Sequence, residues 1–226
     1  MDFSYIDRNY EAIVSEIEAS CDHMPYITVA IKGAEFEEIE YLVHRHRVAA
    51  ICENRVQQFL ERYERLSELN VPIHFIGSLQ TNKVKYIIDK VDMICSLDRI
   101  ELAREIDKQA RKVGIVMDVL IEINSAREDS KGGVMPENLE AFVDEVVQFE
   151  GIKVRGFMTM GKKCEKNSEY LKYFCETSQL VLDISRKKGH NICGSILSMG
   201  MSDSFVPAAQ AGATMIRIGR KMFNKN

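Results

Sequence analysis

Eight short β-branched runs alternate with segments of helical period, and this alternation limits the fold more than any other feature of the chain. The runs are Tyr26–Ile31, Val48–Ile51, Ile73–Ile76, Met93–Ser96, Val116–Ile123, Ile152–Phe157, Ser195–Ser198 and Thr214–Ile218. Between them fall Glu35–His46, Asn54–Leu69, Asn82–Lys90, Arg99–Val113, Pro136–Phe149, Asn167–Lys188 and Asp203–Ala211. A further amphipathic helix precedes the first strand, with Ile6, Tyr10, Ile13 and Ile17 on one face. Strand-helix-strand order implies a parallel sheet, and eight units in 226 residues favour closure over an open doubly wound sheet. The expected class is α/β, a (β/α)₈ TIM barrel with an extra N-terminal helix, residues 1–226 forming one domain. Turn and cap residues agree: Asp98 and Ser125 stand at element ends, Pro136 at a helix start, and Gly114 and Gly189 after helix ends.

Composition narrows the function classes. Net charge is −4, with Lys and Arg spread along the chain, which argues against nucleic-acid binding. No apolar stretch nears the roughly 20 residues of a membrane span, so a cytoplasmic protein with no membrane partner is expected. Six cysteines at long, irregular spacings suit reduced, mostly buried thiols, and no metal-ligand spacing is present.

Lys32 closes the first strand. In Tyr26–Gly33, period two puts Ile27, Val29 and Ile31 on one face and Thr28, Ala30 and Lys32 on the other. The aliphatic face suits the layer under the helices, which leaves Lys32 pointing inward at the carboxyl end, where barrel active sites form. A lysine there either pairs with a carboxylate, has its pKa lowered for carbonyl (Schiff-base) chemistry, or is a plain loop residue.

Two distant segments bear on the choice. Leu197–Ser202 follows the seventh strand and Met215–Arg220 spans the eighth, the loops where barrels commonly bind phosphate. Small residues let backbone N–H groups approach an anion, and a helix beginning near Asp203 presents its positive end. Ser202 either donates to a phosphate oxygen or caps that helix. Arg217 shares a strand face with Gly219, so it either reaches a ligand beneath the loop or pairs with a barrel carboxylate such as Asp118 or Glu122.

With these come Glu53–Gln57, His74–Gly77, Leu79–Lys83, Ser130–Gly133, Arg155–Gly156 and Met158–Thr159. Together with Val29–Lys32, Leu197–Ser202 and Arg217–Gly219, they make the chain resemble, over nearly its whole length, the pyridoxal phosphate homeostasis protein family. The fold of that family is similar to the N-terminal barrel domain of alanine racemase. The resemblance implies that pyridoxal 5′-phosphate (PLP) is the cofactor, held as a Schiff base on Lys32. It implies that Ser202 and the backbone at Gly219 and Arg220 hold the phosphate, that Arg217 faces the pyridine nitrogen, and that Asn54 lines the pocket. Asn54 is otherwise a helix cap before Arg55. Departures from the family pattern are Ile31 and Gly33 beside the lysine, Cys52 before Glu53, and Arg220 where a threonine is usual.

The expected function is PLP carriage in intracellular PLP homeostasis, without robust catalysis and with no catalytic residue firmly assigned. An arginine at the ring nitrogen weakens the ring as an electron sink, and no second domain is expected past the barrel to supply a further base. A PLP-dependent racemase-type enzyme is the alternative, followed by a Schiff-base aldolase or a sugar-phosphate barrel enzyme. A monomer with transient contacts to PLP-dependent apoenzymes is expected. The basic segment His44–Arg47 reads as cations at a helix end, and Lys83, Lys85 and Lys90 as a solvated face. The eleven methionines read as core filling.

Overall fold

The computed structural model describes residues 2–128, 132–188 and 196–225. Ser130, Lys131, Gly189, Cys193 and Ser195, invoked above, lie outside them. The eight strands are β1 (Tyr26–Ala30), β2 (Ala50–Glu53), β3 (Ile73–Phe75), β4 (Met93–Leu97), β5 (Met117–Glu122), β6 (Ile152–Met158), β7 (Ile196–Ser198) and β8 (Met215–Ile218). All pair in parallel in sequence order, and β8 closes on β1 through Tyr26↔Met215 to Val29↔Ile218, making a closed barrel. The helices are α1 (Ser4–Glu18), α2 (Phe36–Arg45), α3 (Val56–Ser67), α4 (Val84–Ile87), α5 (Ile100–Val113), α6 (Leu139–Val146), α7 (Asn167–Lys188) and α8 (Phe205–Gln210).

Alternate strand residues sort as period two requires. Ile27, Val29, Val119, Ile121, Ile216 and Ile218 join the large cluster beneath the helices, whereas Met93, Cys95, Leu120 and Met158 form a separate small cluster filling the barrel. Thr28 faces the barrel with them, pairing with Arg217 across the β1–β8 junction. On α1, Tyr5, Ile6, Ile13 and Ile17 are buried. Asn9 of the same helix donates to the carbonyls of Met222 (3.0 Å) and Asn224 (2.8 Å), so α1 holds the segment after β8 in place.

Differences from the sequence reading have local causes. The second strand lies two residues later than predicted because Glu53, a charge the apolar pattern excludes, is 1% exposed and continues the ladder, its carbonyl accepting from Ile76. The last helix begins at Phe205 rather than Asp203, since Ser204 sits at φ −146° outside the helical region. The predicted helix 82–90 is a 3₁₀ turn (Thr81–Lys83) followed by the single turn of α4. The basic segment at the end of α2 is more than cations at a helix end: His46 Nε2 lies 2.6 Å from Asp7 Oδ1 and its ring stacks on Tyr10, joining α2 to α1. Of the cysteines, Cys52 and Cys95 are buried, but Cys175 is exposed and Cys21 and Cys164 are half-buried. Met24, Met160 and Met201 are exposed, so core filling does not cover them. Among the described residues, no helix is long and apolar enough to cross a membrane.

Candidate cofactor site at the carboxyl end of the barrel

Lys32 is carried on a four-residue turn. Ala34 N–H donates to Ile31 O (3.1 Å), closing the turn over Lys32 and Gly33, and Gly33 has φ +78°. Positive φ at the third position is what a type II turn demands, so glycine there has a backbone reason. Lys32 itself is exposed at the barrel mouth, and among the described residues its amine has no hydrogen-bond or ion-pair partner. The carboxylate-paired alternative therefore does not apply.

Across the barrel junction, the strand carrying Lys32 meets the loop after β8. A methyl placed on Gly219 would lie 3.3 Å from Ala30 O and 3.4 Å from Ala30 Cβ, so these two backbones are in close apposition. The Ser202 hydroxyl accepts the N–H groups of Gly219 (3.3 Å) and Lys221 (3.2 Å), which ties the loop after β7 to the loop after β8. Both of those bonds use its oxygen lone pairs, leaving its proton free to donate. Ser202 is thus not the cap of α8, whose capping position is Ser204. Among the described residues, the N–H groups of Ser202, Asp203 and Arg220 also lack an acceptor. The result is a hydroxyl and several amides with unspent donors, the chemistry of an anion cradle. The Arg220 side chain points elsewhere: its Nη2 is 2.5 Å from Asp203 Oδ2, and both groups are exposed.

Arg217 is 3% exposed inside the barrel. Nη1 donates to Ser198 Oγ (2.7 Å) and Nη2 to Thr159 O (2.7 Å), so β8 is braced to β7 and to the end of β6. Asp118 is not its partner. Asp118 pairs with Arg155 at 3.3 Å. Glu122 lies near enough to feel the guanidinium but makes no ion pair with it. Burial, and then the Asp98 carboxylate, push the Glu122 carboxyl up to about 7, while Arg217 pulls the other way.

Asn54 follows β2 at the mouth, half-buried, and its Oδ1 is buried without a partner. It does not cap α3, because Arg55 occupies that position. Gly77, after β3, packs so closely on Asn54 that a methyl at 77 would stand 2.0 Å from Asn54 O. Four neighbours were not singled out from sequence as site residues: Glu122, Ser198, Thr159 and Ser125, whose hydroxyl is 2.7 Å from Thr159 Oγ1. Period two along β5 and β7 places Glu122 and Ser198 on the inner face, which is the signal that marks them.

A family model described as alanine racemase, N-terminal domain, matches residues 1–225. The pyridoxal phosphate homeostasis protein of Aquifex aeolicus is 46% identical over 173 residues, 76% of this chain and 75% of that protein. That of Helicobacter pylori is 33% identical over 225 residues, 96% of this chain and 98% of the other. In fold, the chain is similar to PipY of Synechococcus elongatus, solved with PLP bound, with a TM-score of 0.84, 24% identity, and coverage of 97% and 100%. With a family model matched over residues 1–225 and relatives of 46% and 33% identity covered over three quarters of their length or more, the chain belongs to the pyridoxal phosphate homeostasis protein family, built on the alanine racemase N-terminal domain.

Proposed function

We propose that this chain binds PLP as a Schiff base on Lys32 and serves intracellular PLP homeostasis without robust amino-acid catalysis. One observation carries the reading: an amine with no partner among the described residues stands on the turn after the first strand, whose end packs on the loop after the last strand, where the cradle of unspent donors lies. The residues suit the group chemically. Lys32 offers a nucleophilic amine to an aldehyde, while the Ser202 hydroxyl and the Arg220 amide offer donors to a phosphate, and the Gly219 amide could join them only by giving up its bond to Ser202 Oγ. Asn54 brings a buried, unpartnered carbonyl oxygen to the pocket, and a ligand group with a hydrogen to donate would satisfy it.

When bound, PLP supplies an electron sink for amino-acid chemistry, whose strength depends on protonation of the ring nitrogen. Arg217, a permanent cation held by Ser198 and Thr159, would face that nitrogen and keep it unprotonated. This supports holding the cofactor over using it. The names of the A. aeolicus and H. pylori relatives support the homeostasis role. The reading takes residues 1–226 as one barrel domain, a cytoplasmic monomer that meets PLP-dependent apoenzymes transiently.

Purified protein mixed with PLP is expected to gain a visible absorption band that borohydride removes, leaving a reduced adduct on Lys32 by mass spectrometry. Lys32→Ala abolishes both. A protein that takes up no PLP, or an adduct at another lysine, refutes the reading. Amino-acid turnover above that of free PLP replaces the carrier with a racemase-type enzyme.

A further inference from the structure

The turn that bears Lys32 is held from outside the barrel by one side chain of α3. Arg62 Nη2 donates to Ala34 O at 3.0 Å, and its Nη1 approaches Ile31 O and Glu53 Oε1, each at 3.5 Å. The two carbonyls belong to the first and last residues of the Lys32 turn, so a single planar guanidinium spans it. Glu53 is 1% exposed, and Arg62 is the one ion-pair partner found for it among the described residues. Glu53 Oε1 makes no hydrogen bond, so its contact with the arginine is a 3.5 Å ion pair alone, while the arginine's hydrogen bonds go to the turn. None of these contacts touches Lys32 or the cradle around Ser202.

We propose that Arg62, paired with Glu53, is a positioning residue that holds the Ile31–Ala34 turn so that the Lys32 amine is presented at the barrel mouth. The proposal rests on the assignment of Lys32 as the PLP-binding lysine. Its physical basis is that Lys32 has no partner of its own, so the direction of its side chain is set by the backbone beneath it. That backbone is tied inward by Ile31 N–H to Cys52 O (3.1 Å) and outward by Arg62. Without the outward tie, the turn keeps the Ile31–Cys52 bond at its start and the Ala34–Ile31 bond that closes it, and Ala34 O loses its donor.

The test compares Arg62→Ala with the double variant Glu53→Gln/Arg62→Met. Arg62→Ala alone strands a buried carboxylate and endangers folding, whereas the double variant removes both charges and keeps apolar cover. Two measurements are made on each folded protein: hydrogen exchange in the PLP-free state, and borohydride trapping of PLP on Lys32 across a PLP titration. In the double variant, the Ala34 amide is expected to exchange about tenfold faster, the factor one charge-assisted hydrogen bond carries, with residues 199–203 unchanged. Half-maximal trapping on Lys32 is expected to need about tenfold more PLP. Unchanged exchange at Ala34 overturns the proposal. So does faster exchange at 199–203 to the same degree, since that marks general loosening. If wild-type protein traps no PLP on Lys32, the functional reading fails by itself, and the exchange data still decide whether Arg62 holds the turn.

Discussion

Gly77→Ala tests the packing that places Asn54. The added methyl would stand 2.0 Å from Asn54 O, 2.7 Å from its carbonyl carbon and 2.8 Å from its Cα. All three are backbone atoms, so no side chain can rotate aside, and the loops after β2 and β3 must part by more than about 1 Å to restore van der Waals contact. Overpacking costs about 1–3 kcal/mol, and a backbone-on-backbone clash belongs at the upper end. For a chain of this size, about 3 kcal/mol lowers Tm by roughly 6–12 °C. The parting also strains the bond from Ile76 N–H to Glu53 O (2.8 Å), the last rung joining those two strands. Thermal unfolding followed by circular dichroism reads the stability, and PLP titration followed by absorbance reads the site. Affinity is expected to fall by about tenfold or more, because an Asn54 displaced by about 1 Å no longer meets the same ligand atom. A Tm within about 1 °C of wild type would show that the two loops are not in the contact described and would remove the reason for a glycine at 77.

Gly33→Ala is a contrasting case: nothing lies within 4 Å of the added methyl, so only the φ of +78° resists it, and a loss of about 1–2 kcal/mol is expected by urea unfolding. A neutral or stabilising result would contradict the turn geometry beneath Lys32. Glu122, raised from 4.5 to about 7, contributes stability that is complete below pH 4.5 and lost as pH rises through 7. His74, whose burial lowers it from 6.5 to about 4, contributes in the opposite sense, its share complete above pH 6.5 and lost as pH falls toward 4. Glu122→Gln is therefore expected to leave stability rising with pH between 4 and 6.5, measured by urea unfolding across that range, and a profile identical to wild type would refute the assignment. Asp203→Asn releases Arg220 from an exposed pair, so stability should move by less than about 1 kcal/mol. Inorganic phosphate should then bind several-fold more tightly at low salt, and weaker binding would mean that the pair holds the loop instead.

The barrel was legible because its two periods are strong and do not interfere. Apolar runs of four to eight residues with β-branched side chains marked the strands, and the shift of β2 arose at Glu53, where a buried charge is invisible to an apolar pattern. Lys32, Ser202, Arg217 and Gly219 could be singled out as candidates because each lies near or just past the end of a strand, so topology alone carries them to the same end of the barrel. What a given side chain does there was less legible. Ser202 and Asn54 are both ordinary cap residues in sequence, and only the observed partners separate an oxygen that accepts two amides from one that accepts none. Arg62 gave no signal at all. It reads as an exposed charge on an amphipathic helix, and its bonds to residues 28 and 31 positions away exist only after the strands are assembled.

β7 and β8 are joined by a single register pair, Ser198↔Met215, while β8 and β1 share four. The guanidinium of Arg217 spans that thin junction, donating to Ser198 on one side and to Thr159 O beyond it. One side chain is therefore scaffold already, and under the proposed function it would be ligand contact as well. Loss of PLP binding in an Arg217 variant cannot by itself be credited to the ring nitrogen, because the same substitution unfastens the wall of the barrel next to the phosphate loop. A substitution at Ser198 that removes only the hydroxyl weakens the wall and spares the cation, so the difference between the two variants isolates what the charge does for the cofactor.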